Sequence, residues 1–191
     1  MKGQKQMQIV AAIGSHRLNG NTSYLTDKAL EGAMALGVET TKISLAQYRV
    51  NLCQAHDECE KLTSCPQEDD MRWIVQKLYG ADAVILASPV YSHYVTALMK
   101  AFIERTRFYT RHNQRMAARC AGIIVLAGST GIEETSAALT RFITRTSSIT
   151  AERIKQVHGF ARTFGEIKGN APVVEQAVEL GKGMAEYLLK G

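Results

Sequence analysis

A single α/β domain built on one parallel sheet, with helices covering both faces, is the fold class this chain predicts. Three observations carry it. Runs such as Ile9-Val10-Ala11-Ala12-Ile13 and Val84-Ile85-Leu86 are apolar at every position, which suits strands buried on both faces. Segments with apolar residues at helical spacing separate these runs. The two kinds alternate from end to end, so successive strands are joined by right-handed helical crossovers. At 191 residues the chain makes one domain, long enough for a substantial core.

Taken in order, strand one is Met7 to Ile13, ended by Gly14. Thr22 opens helix one over Ser23 to Leu36, where Leu25, Ala29, Ala33 and Leu36 share a face and Gly37 is the stop. Val38 to Ile43 alternates as strand two. Leu45 to Gln67 has no period and is long for a loop, the kind of segment that carries function or disorder. Glu68, Asp69 and Asp70 place acids at the start of helix two, which continues through Met71, Ile74, Val75 and Leu78 to Gly80. Strand three is Ala83 to Ala87, and a helix follows through Ala97, Leu98, Ala101 and Phe102. After an arginine-rich link come strand four at Gly122 to Ala127, a helix from Glu133 to about Ser148 and strand five at Ile154 to Phe160. Ala171 to Leu189, with Pro172 in its first turn, is the closing helix.

Composition excludes several classes. Apolar residues make up 46% and charged residues 21%, ordinary for a folded globular chain and unlike disordered or collagenous ones. Neither Ala81–Ser88 nor Ala121–Ala127 approaches the roughly 18 residues of a membrane span. The residues from Met1 to Met7 lack the apolar stretch and cleavage site of a signal peptide, so a cytoplasmic location is expected. The net charge of +5 favours anionic ligands without choosing among nucleotides, RNA and membrane surfaces. Its distribution is uneven: Arg105, Arg107, Arg111, Arg115 and Arg119 lie in a stretch without any acid, whereas Asp57, Glu58, Glu60, Glu68, Asp69 and Asp70 crowd together.

Four cysteines do not make a disulfide scaffold in a reducing compartment. Cys53, Cys59 and Cys65 group in the aperiodic segment, while Cys120 precedes an apolar run and reads as a small buried hydrophobe. With His56, the three thiols form a set of soft ligands for an iron–sulfur cluster or tetrahedral zinc, or they bind no metal.

Parallel sheets bind ligands beyond the carboxyl ends of their strands, so the loops after strands one, three and four are the candidate ligand loops. Gly14-Ser15-His16-Arg17-Leu18-Asn19-Gly20-Asn21-Thr22 puts hydroxyls, amides and an arginine before a helix start, which suits a phosphate. It matches neither the P-loop nor the dinucleotide fingerprint, which disfavours an ATPase. Ser88-Pro89-Val90-Tyr91 forms a stiff wall against which a flat ring would lie, followed by His93. Gly128-Ser129-Thr130-Gly131 lets backbone approach a ligand's polar edge. Phosphate, flat ring and carbonyl edge together have the shape of FMN.

The stretch from Gly14 to Thr22, Asp69-Asp70-Met71, Ser88-Pro89-Val90-Tyr91 and Lys100-Ala101-Phe102-Ile103-Glu104-Arg105 resemble the NADPH-dependent FMN reductase family, nearest its iron–sulfur flavoprotein branch. The resemblance implies a flavodoxin-like sheet of order 2-1-3-4-5 with non-covalent FMN. It also implies reduction by NADPH or NADH and assembly into homodimers or homotetramers. Carried over, Ser15, Arg17, Asn21, Thr22 and Ser23 would hold the phosphate. Pro89, Val90 and Tyr91 would line the isoalloxazine, and Gly128, Ser129, Thr130, Gly131, Glu134 and Thr135 would close around its polar edge. The cysteine segment departs from that branch: Cys53-x2-His56-x2-Cys59-x5-Cys65 has histidine where the branch carries a second cysteine, which puts a [4Fe–4S] cluster in doubt.

The expected function is an FMN-dependent NAD(P)H oxidoreductase that passes electrons to a quinone, flavin or redox protein. The alternative is an electron carrier without nicotinamide turnover. A flavin-free nucleic-acid module is least supported, because RNA-reading aromatic motifs are absent. No catalytic side chain is expected, since the cofactor does the chemistry. Arg105, Arg107 and Arg111 read either as contacts to nucleotide phosphates, as a solvated face or as a subunit contact.

Overall fold

In a computed structural model, residues 6–56 and 58–190 are described; residues 1–5, read above for a leader, and Asp57 of the acidic cluster lie outside them. Five parallel strands form one sheet in the order β2-β1-β3-β4-β5: β1 Gln8–Ile13, β2 Glu39–Ser44, β3 Ala83–Pro89, β4 Cys120–Ala127 and β5 Ile154–Phe160. This is the order that the resemblance implied.

Strand side chains alternate between two separate cores. Ile9, Ala11 and Ile13 face α1 (Asn21–Met34) and α6 (Ala171–Lys190), packing with Leu25, Leu180 and Met184. Val10, Ala12, Val84 and Leu86 face the other way, with Ile74 and Leu78 of α2 (Met71–Tyr79), Met99 and Phe102 of α3 (Ala97–Arg105) and Leu139 and Ile143 of α5 (Ile132–Thr146). Each face therefore buries a continuous apolar surface, the main stabilising contribution in such a domain. On the first face α1 and α6 touch backbone to backbone. A Cβ on Gly181 would lie 1.7 Å from the Ala29 carbonyl oxygen, so no larger residue fits there.

Several boundaries differ from expectation for local reasons. Helix α1 starts one residue before Thr22, because Gly20 in extended conformation is its N-cap and contributes no side-chain bond. It ends at Met34, and Leu36 falls in the turn that left-handed Gly37 completes. Strand β3 runs on to Pro89, and Cys120 lies inside β4. The arginine-rich link contains a short helix, α4 (Arg107–Arg111). The aperiodic segment holds two single 3₁₀ turns, Leu45–Gln47 and Cys59–Lys61. The acids before α2 serve as acceptors: Asp69 takes N–H bonds from Asn51 at 2.9 Å and Met71 at 3.2 Å, and Asp70 takes one from Arg49 at 2.7 Å. Among the described residues no helix is long and apolar enough to cross a membrane.

Candidate functional site

Strand order reverses at β1, which pairs with β2 on one side and β3 on the other. Ligand crevices form beyond the carboxyl ends at such a point. A cleft of about 440 Å³ lies there, lined by the loops after β1, β3, β4 and β5.

The β1 loop turns tightly, with Arg17 N–H donating to Ser15 Oγ at 3.1 Å and Gly20 N–H to the Arg17 carbonyl at 3.0 Å. Helix α1 begins its backbone ladder with Tyr24 N–H on the Gly20 carbonyl. The N–H groups of Asn21, Thr22 and Ser23 precede that bond and have no intrahelical acceptor. Together with the helix dipole they form an anion-seeking end, and Asn21 and Thr22 line the cleft. Ser23 is buried in the same turn, and its hydroxyl has no partner. The Asn21 side chain is engaged elsewhere: Nδ2 donates to the Thr163 carbonyl at 2.8 Å, drawing the β5 loop over the helix start.

After β3, Val90 N–H donates to the Leu126 carbonyl at 2.7 Å, and Tyr91 and Tyr94 exchange N–H···O bonds of 3.0 Å. Between them Ser92 and His93 are both left-handed, with φ of 49° and 61°. This is a tight two-residue turn made without glycine, and strained backbone of that kind collects at functional sites. After β4, Gly131 starts α5 at φ 90°. A Cβ there would sit 2.7 Å from both the His93 Cα and the Val90 Cγ1, so glycine lets the two loops meet. After β5, Arg162 Nε donates to the Gly128 carbonyl at 2.9 Å. Glu166 braces that loop by accepting from the Thr163 and Arg162 N–H groups, which hold its carboxyl below the usual range.

Among the residues expected to bind a cofactor, Ser15, Arg17, Asn21, Thr22, Pro89, Val90, Tyr91, Gly128 and Ser129 come together on the cleft. Ser23 and Thr135 lie behind it, buried, each with an unpartnered hydroxyl. Thr130 is exposed, Gly131 packs against the β3 loop, and Glu134 lines a neighbouring groove. Sequence reasoning missed Ala161 and Arg162. The signal was available, because β5 is parallel to the others and its carboxyl end opens on the same edge.

The cysteine segment was expected to hold an iron–sulfur cluster, zinc or no metal. Among the described residues no three His, Cys, Asp or Glu side chains are gathered to hold a metal. Cys53 lines the groove beside α3 and α5, Cys59 is buried in the core, and Cys65 accepts from the Arg105 guanidinium at 3.6 Å. Cys59 sits in the Cys59–Lys61 turn, and Cys65 is taken by the Arg105 bond. What organises the segment is an ion pair between Arg105 and Asp69, whose side chains are 2% and 1% exposed. Burial alone would raise the Asp69 carboxyl, but the Arg105 guanidinium and the Asn51 and Met71 N–H groups outweigh it and leave it below its usual range. Arg105 also donates to the Asn51 carbonyl at 3.0 Å. The His112 ring stands 2.8 Å from both the Phe108 and Leu62 carbonyls, and Arg111 pairs with Glu60.

A doubly wound sheet of this order, with a phosphate-type loop after its first strand and the cleft at its switch point, defines a flavodoxin-like domain. The model of the NADPH-dependent FMN reductases matches residues 7–158, and the chain belongs to that family of flavin oxidoreductases. It is 33% identical over 183 residues to an iron–sulfur flavoprotein of Archaeoglobus fulgidus, covering 94% of this chain and 80% of that one. It is 30% identical over 189 residues to an iron–sulfur flavoprotein of Methanocaldococcus jannaschii, covering 95% and 97%. Among solved structures, the NAD(P)H:quinone oxidoreductase from Methanothermobacter marburgensis has the same fold, with a TM-score of 0.72 at 17% identity over 94% of this chain and 97% of that chain.

Proposed function

We propose that the chain is an FMN-dependent NAD(P)H oxidoreductase that passes electrons on to a quinone, a flavin or a redox protein. One observation carries the reading: a single cleft joins the uncapped start of α1 to the Pro89-Val90-Tyr91 wall. The unpartnered Ser23 hydroxyl in that first turn supports this reading.

In this reading the Asn21, Thr22 and Ser23 N–H groups and the Ser23 hydroxyl donate to the FMN phosphate, and Arg17 supplies countercharge. Pro89 and Tyr91 present a flat apolar surface to the isoalloxazine. Backbone N–H groups from Gly128 to Gly131 meet its polar edge, where they favour negative charge. The Ser92–His93 turn, locked onto Gly131, sets the depth of the slot beside the ring. When bound, FMN would supply the redox chemistry, accepting hydride from a reduced nicotinamide and passing electrons to the acceptor, while the residues above hold its phosphate, ring and polar edge. No protein acid or base is required. We also propose a cytoplasmic location and, on the resemblance to the family, a homodimer or homotetramer.

The test is anaerobic mixing of the FMN-loaded protein with NADPH and with NADH. Rapid loss of the flavin's visible absorbance is expected with at least one of them. A flavin that dithionite bleaches and neither nucleotide does would make the protein an electron carrier instead.

A further inference from the structure

Between β5 and α6 the chain passes along the cleft, where Ala161 and Arg162 form part of its lining. Both ends of this passage are fixed. Ala161 N–H is held to the sheet by the Ala127 carbonyl at 2.9 Å, and Ile167 is fully buried in the core that α1 and α6 cover. Residues 162–166 span the distance between these two anchors.

What holds the span down is polar. Asn21 reaches it from the first turn of α1 with both ends of its amide: Nδ2 donates to the Thr163 carbonyl at 2.8 Å, and Oδ1 accepts the Ile167 N–H at 3.5 Å. Arg162 Nε donates to the Gly128 carbonyl at 2.9 Å. Apolar packing adds little, because Phe160 and Phe164 are 57% and 63% exposed. A segment held by exposed hydrogen bonds, with few buried apolar contacts, opens locally at low cost.

The span is also braced to move as one piece. Glu166 Oε2 accepts from the Arg162 N–H at 2.7 Å, the Thr163 N–H at 2.8 Å and the Thr163 hydroxyl at 3.1 Å. Gly165 bends the chain at φ 78°, and a Cβ there would meet nothing within 4 Å, so the bend stands clear of its surroundings. All of these are bonds of the chain to itself. They therefore bar entry to the cleft and departure from it alike.

We infer that residues 162–166 are a lid over the phosphate end of the cleft, latched by the Asn21 side chain, and that FMN enters and leaves when the lid lifts. Asn21 is then a positioning residue: its backbone N–H serves the phosphate, and its side chain sets how often the cleft opens. One opening precedes both binding and release, so such a latch governs the two rates more than their ratio. The inference rests on the reading of the cleft as a flavin site.

Stopped-flow flavin fluorescence on the full chain gives the FMN association and dissociation rates separately. N21A releases the latch while keeping the backbone N–H, and E166A loosens the lid through a side chain that does not line the cleft. In both variants the two rates rise together, by roughly fivefold or more, and their ratio stays within about twofold of the parent's. Hydrogen exchange without flavin quickens over residues 162–167 in both, while the sheet exchanges as in the parent and so reports an intact fold. FMN rates equal to the parent's in both variants overturn the lid and leave the flavin reading standing. Faster dissociation alone, in N21A alone, makes the Asn21 side chain a ligand of the phosphate and also overturns the lid. If the parent binds no FMN, the flavin reading fails and hydrogen exchange decides the lid by itself: unchanged exchange over residues 162–167 overturns it, and faster exchange there upholds it.

Discussion

Thr96 Oγ1 donates to the Gly14 carbonyl at 2.5 Å, across 82 positions of the chain, and accepts the Met99 N–H at 3.1 Å. One hydroxyl thereby ties the start of the phosphate-type loop to the first turn of the helix that follows the aromatic wall. Gly14 N–H is held in turn by the Ala87 carbonyl at 2.8 Å, and Thr96 N–H reaches Ser88 Oγ at 3.4 Å.

Thr96→Val keeps the shape and removes both bonds. Stranding the buried Gly14 carbonyl costs about 1–3 kcal/mol, and losing the cap of α3 costs about 1 kcal/mol more. Urea unfolding is expected to show that loss together with weaker FMN binding, because the two loops are no longer tied. Full stability in the variant would mean that water or backbone replaces the hydroxyl.

The Arg105–Asp69 pair gives a second expectation. Arg105→Met leaves a carboxylate buried without its partner and is expected to destabilise by about 3–5 kcal/mol, whereas Arg105→Met with Asp69→Leu is expected to recover much of that loss. The Asp69 carboxyl lies below its ordinary value of 3.8 in the folded protein. Its contribution is therefore fully present above that value and is lost as pH falls through the lower, folded value. Acid unfolding of the double variant is expected to begin at lower pH than in the parent. Identical acid transitions would remove Asp69 from the account.

The sheet was legible because its strands are apolar throughout and its helices amphipathic, signals that local sequence carries. The three ligand loops were legible because β–α connections in a parallel sheet fall on one edge. What local sequence does not carry is long-range pairing. Nothing near Arg105 indicated that Asp69 and Cys65 would take its guanidinium, so it was grouped with Arg107 and Arg111 as one basic run. The cysteine spacing matched a ligand set along the chain, but the fold draws those thiols to different surroundings. Arg162 was not legible because the loop after strand five lacks the glycine-rich or proline–aromatic pattern that marks the other three.

Ser23→Ala separates a ligand-holding hydroxyl from a structural one. Removing an unpartnered buried hydroxyl is expected to leave the flavin-free protein as stable as the parent or slightly more so. FMN binding is expected to weaken by about 1–3 kcal/mol, the worth of a hydrogen bond to a charged oxygen. Thermal unfolding without flavin and FMN titration read the two effects separately. A loss of stability without a change in FMN affinity would assign Ser23 to the fold.

For the cysteine segment, protein–protein bonds already brace the chain, so prolonged chelation is expected to leave the melting temperature unchanged. A fall of several degrees would show a structural metal. Burial pushes the Cys120 thiol up to about 11, so it is expected to resist alkylation in the native state, while the half-buried Cys53 reacts.

The most direct measurement is titration of flavin-free protein with FMN and with riboflavin, followed by flavin fluorescence. The two differ only in the phosphate that the start of α1 is argued to hold. One FMN per chain is expected, with riboflavin bound at least tenfold more weakly, about 1.4 kcal/mol. Equal affinity for the two, or no saturable FMN binding, would contradict the assignment of the cleft.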